Sequence, residues 1–164
     1  MDKCICKDED GNLFLSFENI DEAALSGMPE LTHCLAVVRV KGDYLLGWNK
    51  WRGRYEIFGG CRENNESARD CILRELREEL GVSSETITYL GAMRFLMQPD
   101  YFSPKTRVEL GGLYGLTLYM PLKTLRNAVK DTDEIDTLVL YREAKNKAPI
   151  ALIDEMLLGY YKAE

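Results

Sequence analysis

The stretch from Gly60 to Val82 constrains the fold of this chain more than any other, because its apolar residues follow the period of an α-helix. They recur at spacings of three, four and eight residues, at Ala68, Cys71, Ile72, Leu76 and Leu80. This spacing places them in one stripe along a helix. Gly81 follows the stripe and can take the left-handed conformation that ends a helix. The sequence therefore predicts a helix with one buried face that stops at Gly81.

Three glutamates share a face of this predicted helix. Glu75, Glu78 and Glu79 stand at i, i+3 and i+4, and at about 100° per residue their face overlaps the edge of the apolar stripe. At roughly 6 Å and an effective dielectric constant near 20, each pair of carboxylates repels by about 2–3 kcal/mol. Such a cluster requires a cation, and an all-oxygen ligand set suits Mg²⁺ or Mn²⁺ better than zinc. The alternative is a solvated acidic face that the neighbouring arginines balance.

The same stretch resembles the signature of the Nudix hydrolases, G-x5-E-x7-R-E-U-x-E-E-x-G-U, where U is a bulky aliphatic residue. Every position of the signature matches, at Gly60, Glu66, Arg74, Glu75, Leu76, Glu78, Glu79, Gly81 and Val82. The resemblance implies an α/β fold, an alpha/beta/alpha sandwich with a mixed β-sheet between helices. One residue departs from the family, since Phe58 stands before the double glycine where most members have proline. This change removes a φ constraint and restores a backbone N–H, so it bears on loop rigidity and substrate subclass.

The order of the other predicted elements supports the same fold class. Hydrophobic patterning predicts strands at 13–17, 32–40, 44–48, 55–58, 86–97 and 137–141, the fifth with a glycine bulge. Residues 107–120 are predicted to form two strand pieces interrupted by Gly111-Gly112. Residues 21–29 are a loop or one helical turn, and 122–129 a helical turn or an edge strand. A last helix is predicted over 149–161, with Ile150, Ile153, Met156 and Leu157 as its buried stripe. Strands interleaved with two main helices predict a mixed sheet covered on both faces.

The size and charge of the chain limit its organisation and partners. Its 164 residues are typical of a single domain, 1–164, in which 1–31 form an N-terminal extension with a short strand. A net charge of −6 argues against a non-specific nucleic-acid binder, so no nucleic-acid partner is expected. It does not argue against a phosphorylated substrate, because a bound divalent cation reverses the local charge.

The cysteines and the hydropathy exclude other classes of protein. Five cysteines, an odd number, do not predict a disulfide framework. Cys4 and Cys6 lack a second pair at zinc-site spacing, and His33 is the only histidine, so no zinc site is expected. The chain has neither a signal-peptide pattern nor an apolar run of about 18 residues, which predicts a cytoplasmic protein with no membrane partner.

The resemblance also implies roles for residues within the signature. Glu78 and Glu79 correspond to metal ligands, and Glu75 to a ligand or the general base, since its role varies among members. Arg74 is expected to orient these carboxylates by charge-assisted hydrogen bonds. The backbone carbonyl of Gly59 is expected to be a further ligand. Three further positions are expected to be structural: Gly60, Glu66 and Gly81.

Candidates outside the signature are weaker. Nudix enzymes often use another acid from a loop before a late strand, and Glu134, within the acidic loop 131–136, resembles that position. A plain solvated turn is an equally good interpretation. Arg52 and Arg54 are candidates for binding phosphates, although exposed loop arginines usually have no such role. Glu109 is a weaker acidic candidate. Several aromatic residues could stack a base, and none is assigned: Trp48, Trp51, Phe95, Tyr114 and Tyr119.

The function that the resemblance implies is Mg²⁺- or Mn²⁺-dependent hydrolysis of a pyrophosphate bond in a nucleoside diphosphate linked to another moiety. A nucleoside triphosphate pyrophosphatase is favoured, including one acting on oxidised nucleotides. A pyrophosphatase of ADP-ribose or another nucleotide sugar is the first alternative. A Nudix-like nucleotide-binding regulatory domain without turnover is the second, disfavoured because all the signature carboxylates are present. The family often dimerises, so a homodimer is compatible with the sequence.

Overall fold

The computed structural model describes residues 4–83, 86–101, 103–129 and 134–162. Within these ranges one sheet contains the strands β1 Cys6–Lys7, β2 Leu13–Glu18, β3 Leu31–Val40, β4 Asp43–Asn49, β5 Arg54–Glu56, β6 Phe58–Cys61, β7 Thr88–Met97, β8 Arg107–Leu118 and β9 Ile135–Leu140. The helices are α1 Glu22–Ser26, α2 Ala68–Leu80, α3 Leu122–Ala128, α4 Tyr141–Ala144 and α5 Leu152–Leu157, the last followed by a 3₁₀ turn, Leu158–Tyr160.

The sheet is mixed, as the sequence predicts. Its strands run in the order β1-β2-β7-β8-β3-β4-β5, with β6 paired to β3 and β9 paired to β4. Strands β3 and β8 are parallel, and the other pairs of strands are antiparallel. Strand β3 pairs with β4 near its end and with β6 nearer its start, where Leu35 lies opposite Gly59. This split of partners brings the double glycine beside the middle of the sheet.

Helix α2 forms for the local reasons that the sequence indicates. It begins after Ser67, whose side chain accepts a hydrogen bond from the N–H of Asp70, and the carboxylate of Asp70 favours this end of the helix. It ends at Gly81, which adopts the left-handed conformation with φ 68°. The predicted apolar stripe is buried throughout. Burial of each large aliphatic side chain contributes about 1.5–3 kcal/mol of stability, which holds the helix against the sheet.

Two hydrophobic cores lie on opposite faces of the sheet. Alternate residues of β3, such as Cys34 and Ala36, face the core beneath α2. Val37 faces the core beneath α4 and α5. Period-two alternation along a strand produces this division, and it confirms the predicted α/β sandwich. The predicted single domain with an extension over 1–31 stays a prediction, although β1 and β2 of that segment belong to the sheet.

Three strand predictions need correction. Strand β8 is continuous, so Gly111-Gly112 does not interrupt it. A Cβ on Gly111 would lie 2.8 Å from His33 Nε2, so these glycines allow close packing of neighbouring strands and do not break the strand. The predicted strand 55–58 is divided at Ile57, whose N–H donates to Asp154 at 3.0 Å and not to a neighbouring strand. The N-terminal extension contains a strand besides the predicted one, since Cys6 of β1 pairs with Phe14 of β2.

The helix predictions differ from the structure mainly near the C-terminus. Residues 21–29 contain the short helix α1, and 122–129 contain the helix α3, which resolves both alternatives. The last helix is shorter than predicted, because residues 149–151 run beside β5 and bond to Tyr55. Met156 is 43% exposed and does not belong to the buried stripe, whereas Leu158 does. Helix α4 was not predicted. No helix in the described ranges combines the length and apolar character needed to cross a membrane.

Candidate functional site

The double glycine allows α2 to lie against the backbone of β6. Gly59 has φ 139°, and a Cβ there would lie 2.1 Å from the carbonyl oxygen of Cys34. A Cβ on Gly60 would lie 2.6 Å from Oε1 of Glu75. Only glycine fits at these two positions without displacing β3 or the carboxylate. The pair therefore brings backbone groups and glutamate side chains of α2 into direct contact.

Glu79 is the most deeply buried of the three glutamates. Its side chain is 7% exposed, and Oε1 accepts the N–H of Gly59 at 2.7 Å. Burial raises the pKa of Glu79 to about 9, and the charges of Glu75, Glu134 and Glu56 raise it further against the opposing effect of the Gly59 hydrogen bond. A nearby cation would favour the ionised form of this carboxyl group.

Glu75 and Glu78 complete the acidic face with different degrees of burial. Burial raises the pKa of Glu75, with smaller contributions from the charges of Glu78 and Glu134, while Arg74 lowers it. The side chain of Glu78 is 57% exposed. The predicted face thus runs from a buried carboxyl group to a solvated one.

Arg74 connects the acidic face to the segment before the helix. Its Nη1 donates to Glu75 at 2.9 Å and to Glu78 at 3.3 Å. Its Nε and Nη2 form a bidentate pair with Glu66 at 2.6 and 3.1 Å, and Nη2 also donates to the carbonyl of Cys61. Glu66 lies outside the helix and also accepts the N–H of Glu63. These contacts suit the predicted orienting role of Arg74 and the structural role of Glu66, which stay predictions.

Glu134 lies close enough to act on the same carboxyl groups, since its charge raises the pKa of both Glu75 and Glu79. Its Oε1 accepts from Arg52 at 3.0 Å and from Asn49 at 2.9 Å. The structure therefore places this candidate within electrostatic range of the signature glutamates. Residues 131–133 of the predicted acidic loop lie outside the described residues.

The two candidate arginines are already paired with acidic side chains. Arg52 forms a bidentate pair with Glu56 at 2.7 and 2.9 Å and also bonds to Glu134. Arg54 pairs with Glu56 at 3.1 Å and with Glu9 at 3.3 Å. Arg52 is half-exposed and remains accessible to an anion, whereas Arg54 is mostly buried beneath the N-terminal turn.

Two buried polar residues were missed by the sequence reasoning. Glu56 lies between the two arginines, and Asn49 has no exposed surface. The position of Glu56 was detectable, since it is the only acid between the basic loop and the double glycine. Asn49 carried no such signal, because an asparagine at the end of a strand usually indicates an exposed turn.

The remaining candidates differ in their surroundings. Glu109 pairs with Arg107 at 3.3 Å. Phe95 and Tyr114 are buried in the core, whereas Trp51 and Tyr119 are exposed. Trp48 packs edge-on against Tyr55.

The chemistry of the donor set fits a hard divalent cation. The side chains nearest to the double glycine supply carboxylate oxygens, and the buried carboxyl groups of Glu75 and Glu79 have raised pKa values that a cation would lower. Within the described ranges, no three His, Cys, Asp or Glu side chains already converge on one point.

Comparisons with known proteins agree with the signature. The family model for the NUDIX domain matches residues 29–155. This chain belongs to the NUDIX family. The predicted membership is therefore confirmed, and it supports the predicted class of Nudix hydrolase.

Solved structures show the same fold. A Bacillus subtilis pyrophosphohydrolase, BsRppH, is 21% identical with a TM-score of 0.65, and the match covers 94% of this chain and 91% of that chain. A MutT NUDIX hydrolase from Burkholderia pseudomallei is 20% identical with a TM-score of 0.59, covering 79% of this chain and 96% of that one. The NUDIX domain of Shewanella oneidensis NrtR, complexed with ADP ribose, is 17% identical with a TM-score of 0.60, covering 87% and 91%.

Curated relatives match over a shorter region. NAD-capped RNA hydrolase NudC of Pseudomonas putida (strain GB-1) is 35% identical over 71 residues, which are 42% of this chain and 26% of that protein. The chain thus spans about a quarter of the length of the relative that it matches.

Proposed function

We propose that this chain catalyses metal-dependent hydrolysis of a pyrophosphate bond in a nucleoside diphosphate linked to another moiety. The observation that carries the proposal is the contact between the double glycine and the glutamates of α2. The oxygen donors range from the buried Glu79 to the exposed Glu78, and they lie beside backbone groups of β6 that only glycine can present. A helix face that served only solubility would not bury a carboxyl group in this way.

The cation would be held by Glu75, Glu78 and Glu79, with the carbonyl of Gly59 as a further ligand. When bound, Mg²⁺ or Mn²⁺ would neutralise charge on the phosphates and lower the pKa of a water molecule. Arg74 holds Glu75 and Glu78 by hydrogen bonds, which limits their side-chain freedom before a cation binds.

The proton acceptor for the attacking water is Glu75 or Glu134. Glu75 is within hydrogen-bonding distance of Arg74, which favours its ionised form. Glu134 lies outside the helix, and its side chain is more exposed than that of Glu75. Arg52, beside Glu134 and half-exposed, is the better placed of the two arginines for binding a phosphate.

The favoured substrate remains a nucleoside triphosphate, including an oxidised one. ADP-ribose or another nucleotide sugar is the alternative, and the likeness to a NUDIX domain complexed with ADP ribose supports testing it. NAD-capped RNA is a further candidate because it appears in the names of the curated relatives. This candidate runs against the expectation from the net charge of −6 that the chain has no nucleic-acid partner. We also propose a cytoplasmic location and a homodimer. The molar mass of the purified chain in solution tests the second.

A substrate panel tests the proposal. The purified chain is incubated with Mg²⁺ or Mn²⁺ and nucleoside triphosphates, dinucleoside polyphosphates, nucleotide sugars or NAD-capped RNA, and phosphate-containing products are quantified. The E79Q variant should lose metal-dependent release. The E143Q variant is the matched control, because Glu143 is exposed on α4, and it should retain activity.

Failure of the wild type on every substrate would overturn the enzymatic proposal. Nucleotide binding measured by calorimetry would then favour the alternative of a binding domain without turnover.

A further inference from the structure

Asn49 is a buried polar residue that lies between two acidic side chains. It is the last residue of β4 and pairs with Arg54 of β5 on one side and with Ile135 of β9 on the other. Its side chain has no exposed surface. A buried amide must use its hydrogen-bonding groups within the protein, so its partners show what it holds together.

The side-chain amide of Asn49 uses all four of its hydrogen-bonding positions. Nδ2 donates to Oε1 of Glu56 at 3.1 Å and to Oε1 of Glu134 at 2.9 Å. Oδ1 accepts the backbone N–H groups of Trp51 at 3.0 Å and of Arg52 at 2.9 Å. An amide has two donors and two acceptor lone pairs, so this arrangement satisfies it completely.

These contacts fix the two segments that meet at Glu134. The loop after β4 folds back on Asn49, whose carbonyl also accepts the N–H of Gly53 at 2.7 Å. The carbonyl of Glu134 accepts the N–H of Lys50 at 3.0 Å. Glu134 is therefore held at both its backbone and its side chain by the same short loop. The side-chain hydrogen bonds from Asn49 and from Arg52 are both accepted by Oε1 of Glu134.

No other side chain of this length offers the same two donors and two acceptors. Aspartate accepts from the two N–H groups but cannot donate, and it adds a third carboxylate beside Glu56 and Glu134. Lysine or arginine donates but cannot accept, and its charge would neutralise Glu134. An amide holds Glu134 through a neutral donor, beside the ion pair that Glu134 already makes with Arg52.

We propose that Asn49 is a positioning residue for catalysis, which holds the carboxylate of Glu134 in the orientation that turnover requires. This inference rests on the proposed hydrolase function and on a role for Glu134 in it. It assigns to Asn49 a role in turnover beyond the folding of its own loop.

Exchanging the amide of Asn49 with the carboxylate of Glu134 separates a role in turnover from a role in folding the loop. The N49D variant should lower kcat by about tenfold to 100-fold, the usual effect of losing a contact that orients an active-site ligand, and KM should change much less. The E134Q variant should lower kcat similarly. In the N49D/E134Q double variant the hydrogen bond can form with its donor reversed, while Arg52 still balances Glu56. Its melting temperature should recover from that of N49D, but its kcat should stay at the E134Q level.

The outcomes are distinguishable. Recovery of kcat in the double variant would overturn the inference, since holding the loop would then be the whole role of Asn49. A wild-type kcat in N49D or in E134Q would overturn it as well. If N49D does not fold, N49S is measured instead. A serine hydroxyl can still accept from the loop N–H groups, so this variant should fold, and the same loss of kcat is expected. Wild type and E79Q are measured in parallel, so an inactive wild type overturns the hydrolase proposal and this inference together, whereas an active wild type isolates the inference.

Discussion

The buried carboxyl group of Glu79 predicts a conflict between stability and function in the metal-free protein. Its pKa is raised from 4.5 to about 9, mainly by burial. A carboxyl group whose folded pKa is raised stabilises the protein fully below its unfolded pKa, and this contribution is lost as the pH rises towards the folded value. The free energy of unfolding should therefore fall between about pH 4.5 and pH 9 when a chelator keeps metal away.

The E79Q variant removes this penalty, because a neutral amide oxygen can still accept the N–H of Gly59. At pH 7.5, three units above the unfolded pKa of 4.5, the penalty is at most about 4 kcal/mol at roughly 1.4 kcal/mol per unit. Relaxation of the side chain towards water reduces it, and we expect E79Q to be more stable by about 2 kcal/mol. For a chain of this size that is an increase of about 4–8 °C in melting temperature.

The assay is urea unfolding of wild type and variant in chelator at pH 5 and pH 7.5, followed by circular dichroism. The matched control is E78Q on the same helix, which should change stability by less than about 1 kcal/mol because the Glu78 side chain is 57% exposed. Excess Mg²⁺ should stabilise the wild type more than E79Q. If E79Q is no more stable than the wild type at pH 7.5, or if its advantage does not grow with pH, the argument from burial is refuted.

Three further predictions follow from single contacts. The G60A variant should lose most activity in the phosphate-release assay, because its Cβ would lie 2.6 Å from Oε1 of Glu75. The control variant G159A should keep activity in the same assay, because a Cβ at that position would have no heavy atom within 4 Å. Burial raises the pKa of Asp154 from 3.8 to about 7, so the melting temperature should fall over that pH range in the wild type, and calorimetry of D154N should show a smaller fall. R74K cannot form the bidentate carboxylate pair and should lower kcat by about tenfold or more; unchanged kcat would show that the pair is dispensable.

The sequence was sufficient for the parts of the fold that local chemistry controls. The apolar stripe of α2 and its stop at Gly81 depend on neighbouring residues, and each is present as predicted. It failed where distant partners decide. Gly111 was predicted to break a strand, yet it allows His33 of β3 to pack closely against β8. Ile57 interrupts a predicted strand because its N–H bonds to Asp154, which is 97 residues away.

The candidate site divides in the same way. By itself the sequence determined the family and the acidic face of α2, because both follow from spacing within one helix and the segment before it. Only the tertiary structure decided how deeply each glutamate is buried, since Glu79 and Glu78 are neighbours in sequence and differ because Glu79 meets Gly59 of another element. It also decided that Asn49, Glu56 and Glu134 meet. Their contact depends on how β4, β5 and β9 lie side by side, and pairing between distant strands leaves no periodic pattern in the chain.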